Sequence, residues 1–179
     1  MALRKILQEK DPALYKVCRP VERIDKRILT LLDDMFETMY DAEGVGLAAS
    51  QVGILRRVVV IDCGDGPVEM INPEIISTEG EYGCMEGCLS FPGKSGYVVR
   101  PSHVIARAQN RNGEWVEYDA TGLFARAILH ETDHLDGKVY LDLVTDPPEG
   151  YNEDEGCDEP DDNDAPNSSE APDAPEEKI

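Results

Sequence analysis

Along residues 24–39 the apolar side chains fall at Ile24, Ile28, Leu31, Leu32, Met35, Phe36 and Met39. Steps of four, three, one, three, one and three describe one face of a helix. Asp25, Lys26, Asp33, Asp34 and Glu37 take the other face, and Gly44 marks the end. A glycine-bearing segment, 44–53, follows. Residues 57–62, with three consecutive valines, predict a short β-branched strand. Residues 68–72 predict a second, with Gly64-Asp65-Gly66 as the turn between them. Pro73 and the glycines from 80 to 96 read as a loop-rich middle with one or two short strands. Residues 104–109 and 115–118 flank Asn112-Gly113, a strong hairpin signal. The last element, 121–136, predicts a helix that stops at Gly137.

Helices near the two ends and strands between them favour an α+β fold over an alternating α/β one. The expected architecture is antiparallel sheet packed around a C-terminal helix, with a long amphipathic helix near the N-terminus. Charge then divides the chain. Residues 146–179 hold 14 acidic side chains, one basic one and six of the twelve prolines. Such a stretch buries too little apolar surface to offset its ordering entropy. The expectation is a folded domain over 1–145 and a disordered acidic tail over 146–179. The whole chain of 179 residues carries a formal net charge of -20. That disfavours a direct nucleic-acid partner, and no apolar run is long enough to span a bilayer. Five cysteines at irregular spacing do not read as a disulfide framework. With no signal or transit peptide visible, the expected location is cytoplasmic.

One pentapeptide changes this picture. Residues 130–134, His-Glu-Thr-Asp-His, fit H-E-x-x-H. On a helix, His130 and His134 lie one turn apart on one face and can share a metal ion. Glu131 then has a carboxylate within reach of a water on that metal, the layout of a metal-assisted hydrolase. Only three histidines occur in the chain, and two fall in this pattern. The pair needs a third ligand. In one zinc-protease class a histidine stands six residues past the second one, but here that place is Tyr140. Glu153 and Glu155 lie in the acidic stretch and are poor candidates. A thiolate upstream with two imidazoles would leave a fourth position open for water, and Cys88 stands in Glu86-Gly87-Cys88-Leu89-Ser90.

Three ordered blocks, GVGLAASQ at 44–51, EGCLS at 86–90 and HETDH at 130–134, resemble the signature motifs of the peptide deformylase family. The likeness extends over about 1–145, including Arg100 and the Asn-Gly hairpin. It implies a metal-dependent hydrolase, a bacterial-type enzyme, that removes the formyl group from the N-terminal formylmethionine of nascent polypeptides and releases formate. Cys88, His130 and His134 would hold one divalent metal, commonly ferrous iron, with zinc or nickel able to substitute. A metal-acidified water would attack the formyl carbonyl, with Glu131 as general base and then acid. Gln51 and the Leu89 N–H would stabilise the oxyanion. The Gly46 main chain would pair with the extended substrate.

Methionine is long and apolar, so Val45, Leu123 and Ala127, with Cys84 as a further candidate, are the expected side-chain pocket. Arg100 would face the peptide beyond the methionine. Glu86 and Asp133 are candidates to orient the metal ligands, while His103 reads as a surface histidine. Cys18, Cys63 and Cys157 read as structural or incidental. Two departures stand out. Leu129 replaces a glutamine frequent in the family, and an acidic C-terminus replaces the basic helix with which some relatives dock on the ribosome. Docking through the C-terminus is therefore not expected. Two rivals remain at this point: an H-E-x-x-H metalloprotease, and a non-enzymatic domain with a closed four-ligand metal site completed by Cys84 or His103. The oligomeric state is not legible in the sequence.

Overall fold

The computed structural model describes residues 2–151. Two helices, α1 (Lys26–Asp41) and α2 (Gly122–Leu135), lie on either side of a five-stranded antiparallel sheet. Its strands are β1 (Gly46–Ala48), β2 (Val58–Ile61), β3 (Val68–Glu79), β6 (His103–Gln109) and β7 (Trp115–Thr121), in that spatial order. A separate two-stranded sheet joins β4 (Tyr82–Gly87) to β5 (Ser95–Arg100). The α+β class with antiparallel sheets and a C-terminal helix therefore holds. The chain does not open on a long helix: a 3-10 turn at Pro12–Tyr15 comes first, and α1 begins only at Lys26.

All four residues of β2 are buried, which explains a strand without alternation. Val58 and Val60 face α1 and pack with Leu31, Leu32, Met35 and Met39. Val59 and Ile61 face the other way, onto Ala127, Ile128 and Leu135 of α2. The Asp25 carboxylate caps α1 by accepting the N–H groups of Arg27 and Ile28. Asp34, assigned by periodicity to the solvent face, is buried instead. The N-terminal segment lies over it, and its carboxylate accepts from the Ala2 N–H and the Arg4 guanidinium.

The middle of the chain is more regular than its glycines and proline suggest. β3 runs through Pro73 because the ladder to β6 is bulged between Ile71 and Glu74, and Asn72 there takes φ +53°. A bulge is where a strand tolerates a residue with no N–H. Gly83 and Gly96 lie inside strands for a packing reason: the Tyr97 hydroxyl sits over the first and Val144 over the second. The hairpin between β6 and β7 is real but longer than a two-residue turn. The Asn110 carboxamide oxygen accepts from the N–H groups of Asn112 and Glu114 and organises the loop.

Most of the acidic stretch, from 152 onward, lies outside the described residues, as does Cys157. Tyr151, within the stretch assigned to it, packs its ring on Tyr97 at 4.7 Å and accepts the Met85 N–H. Among the described residues no helix is long and apolar enough to cross a membrane.

Ile128 is fully buried between α2 and the sheet. Ile128→Ala should cost about 2–5 kcal/mol of unfolding free energy. The denaturant midpoint reads it, and a loss below about 1 kcal/mol would mean that the site collapses around the gap.

Candidate metal centre

α2 is buried on almost every side where it crosses the sheet, from Ala125 to Leu135. Its periodicity puts His130 and His134 on one face, directed at the turn that follows β4. Cys88 stands at the start of that turn, which the Phe91 N–H closes onto the Cys88 carbonyl. The Cys88 sulfur is 3.2 Å from His134 Nε2. The ligand-type atoms of Cys88, His130 and His134 all lie within 4.8 Å of one another.

Two buried atoms here have no partner: His134 Nδ1 and Glu131 Oε2. Unpaired buried polar atoms are rare, and a functional site is one reason for them. One thiolate and two imidazoles are a three-donor set for a divalent transition metal. Bonds of about 2.0–2.3 Å to one small ion suit the observed convergence. The residues present therefore fit such an ion.

Behind His130 lies a buried ion network. His130 Nδ1 is 3.0 Å from Glu86 Oε2, which turns Nε2 toward the cysteine. Glu86 also accepts from Arg100 at 2.5 and 3.0 Å and from Arg126 at 2.6 Å. Burial alone would raise the Glu86 pKa, but hydrogen bonds from His130 and Arg100 hold it down at about 2. Burial likewise opposes charge on His130, yet Cys88 and Glu86 outweigh it and lift the imidazole to about 10. Burial and the His130 charge lower His134 to about 3. Burial raises Glu131 to about 7, against the opposing pull of His130 and Arg100.

The cavity in front of this cluster has a volume of about 430 Å³. Val45, Gly46, Gln51, Cys88, Leu89, Leu123, Ala127, His130 and Glu131 all line it. Gln51 is locked by its own backbone neighbourhood: its Oε1 accepts the Ala48 N–H, and its Nε2 points at Cys88 Sγ and Ser90 Oγ. A Cβ on Gly46 would lie 2.5 Å from Glu131 Oε1, so glycine is what lets the carboxylate sit there. β1 is the edge of the large sheet, paired only to β2, and Gly46 sits on it.

Several expectations need correction. Arg100 does not face the cavity: it is 5% exposed and donates to Glu86 and Asp133. A guanidinium so enclosed by two carboxylates has no free donor face to offer a peptide. The cavity arginine is Arg126, which sequence reasoning missed. Its place four residues before His130 on the same helical face was the available signal. Cys84 is buried on β4 and is not among the residues lining the cavity. Cys18, Cys63 and Cys88 are free. Leu129 packs on the hydrophobic core and is not among the cavity residues. His103 is on the surface beside Asp119. Tyr140 was also missed: it stacks on His130 at 5.8 Å and donates its hydroxyl to the Lys94 carbonyl.

Comparison with known proteins gives a consistent result. A family model described as polypeptide deformylase matches residues 3–149. The chain is 59% identical over 142 residues to peptide deformylase 1 of Clostridium acetobutylicum, covering 79% of this chain and 95% of that one. A crystal structure of a peptide deformylase from Legionella pneumophila superposes with TM-score 0.78 at 45% identity, covering 80% and 87% of the two chains. One from Ehrlichia chaffeensis, in complex with actinonin, superposes with TM-score 0.79 at 37% identity, covering 81% and 90%.

Removing a donor or its support should loosen the metal. Cys88→Ser should retain less than about a tenth of the parent's metal after dialysis, since a hydroxyl is a far poorer ligand than a thiolate. Glu86→Gln should weaken binding about 10–100-fold through the orientation of His130. Unchanged metal stoichiometry in both variants would contradict the assignment.

Proposed function

This chain belongs to the polypeptide deformylase family, and on that premise we propose that it hydrolyses the formyl group from N-formylmethionine at the start of nascent polypeptides. The observation that carries the reading is the convergence of Cys88, His130 and His134 beside an unpaired, buried Glu131 carboxylate. The catalytic domain is residues 1–145, acting in the cytoplasm where nascent chains emerge. Cys88, His130 and His134 hold the divalent cation. Ferrous iron is the proposed ion, with zinc or nickel as substitutes; a mixed thiolate and imidazole donor set suits all three. When bound, the cation supplies Lewis-acid chemistry, polarising the formyl carbonyl and acidifying a water.

The chain's own residues do the rest. Glu131 takes the proton from the attacking water and passes it to the departing amine. A carboxylate with a raised pKa serves both halves of that transfer better than an exposed one. Gln51 Nε2 and the Leu89 N–H are the donors to the developing oxyanion. Gln51 is held for that task by the Ala48 N–H, so little reorganisation is needed during reaction. The free edge of β1 at Gly46 receives the substrate backbone as an added strand. Val45, Leu123 and Ala127 take the methionine side chain.

Formylated and unformylated peptides assayed side by side test the reading. Formate should be released from the first, and internal cleavage of the second would favour a metalloprotease. Glu131→Ala should bind metal normally and lose at least about 100-fold in kcat/KM. Metal bound with turnover intact would remove Glu131 from its role.

The pH profile supplies a second check. A base works ionised, so kcat/KM should fall as pH drops through the Glu131 pKa. Burial places that value at about 7, and a neighbouring cation pulls it lower. The acid limb of the loaded enzyme should therefore lie below 7. A rate constant flat from about pH 4 to 8 would count against a carboxylate base.

A further inference from the structure

Away from the metal centre, a groove of about 450 Å³ opens beside the start of α1. Its floor is apolar, with Val21, Ile28 and Ile54, and its rim carries Arg23, Arg27 and Arg56. We propose that this groove is a docking site for the chain's own acidic segment, residues 152–179.

Three observations support it. First, the rim arginines are exposed and, among the described residues, none of the three forms an ion pair. Arg4, also at the groove, is already taken by Asp34. Of the acids nearby, Asp25 is committed to the helix cap and Glu22 alone cannot balance three guanidinium groups. Second, α1 opens with Lys26 and Arg27 and has no acidic residue in its first turn. Positive side chains at the positive end of a helix dipole are unfavourable, and an anion laid there relieves both. Third, residues 2–151 hold 25 acidic and 16 basic side chains, while 152–179 hold 12 acidic and one basic. An arginine-rimmed groove on so acidic a body is a local inversion of charge, and the densest anion available is attached to the same chain.

Tethering favours this occupant over a free polyanion. The segment starts after Tyr151, which is fixed on Tyr97. Twenty-eight residues extend to roughly 90 Å at most, against a domain roughly 40 Å across, so any face is within reach. An attached ligand is present at an effective concentration of about millimolar. Free polyanions meet the repulsion of the whole chain. Carboxylates pair with guanidinium groups in bidentate geometry, and the prolines interleaved with the acids suit an apolar floor.

NMR on the full isotope-labelled chain tests this. The probes are the backbone amides of 152–179 and of the groove at 21–28 and 54–56. At about 20 mM salt the two sets should share contacts: both shift when salt is raised to about 0.5 M, where charge pairs are screened. The double variant Arg23→Glu, Arg27→Glu should show the high-salt positions of 152–179 already at low salt. Its formate release from a short formylmethionyl peptide should equal the parent's, which certifies the fold. Amides of 152–179 that are identical in parent and variant at low salt would overturn the proposal. So would an oligouridylate RNA probe that shifts the groove amides of the full chain at low salt without displacing the segment.

Discussion

The site depends on one buried carboxylate. Glu86 is enclosed by two guanidinium groups and one imidazole, and without them its burial would be prohibitive. With them it becomes a rigid post. It sets which nitrogen of His130 looks toward Cys88, and it ties three strand-borne or helix-borne groups to one point. Arg100 adds a second tie through Asp133, which sits on α2 one residue before His134. The ligand geometry is therefore held by ionic contacts as well as by packing, in a part of the molecule where packing alone leaves a cavity.

That arrangement needs a sheet with two covered faces. β2 is apolar throughout because α1 lies on one side and α2 on the other. Burying α2 so thoroughly dehydrates the imidazoles and Glu131 together. The same burial that makes His134 a neutral donor makes Glu131 a weak acid. Desolvation thus sets the two groups apart, leaving the imidazole neutral and letting the carboxylate keep its proton up to about neutral pH.

Much of this was legible in the residues themselves. The helical steps of 24–39 and the spacing of His130 and His134 are local properties, and local spacing survives folding. The one or two short strands expected in the glycine-rich middle are β4 and β5, but their glycines could not be placed inside strands from sequence, because Gly83 and Gly96 answer to side chains elsewhere, Tyr97 and Val144. Arg100 was misassigned for a related reason. An arginine after a ligand-bearing segment looks solvent-directed until its two carboxylates, at 86 and 133, are brought together by tertiary structure. Tyr140 was legible only as the residue standing where one zinc-protease class has its third histidine, and its stacking on His130 depends on how the chain turns after Gly137. Identity of partner, in each case, was the part that a one-dimensional pattern does not encode.

The two sheets are not hydrogen-bonded to each other. Cys88 belongs to the small hairpin side, whereas both histidines belong to the helix seated on the large sheet. A cation gripping all three would act as a clasp across the seam between two halves of the molecule. Loading would then stiffen the hairpin as well as arm the chemistry, since binding to the closed form alone draws the population toward it. The ion would thus add a second fastening to a seam that Glu86, Arg100 and Arg126 already hold by charge.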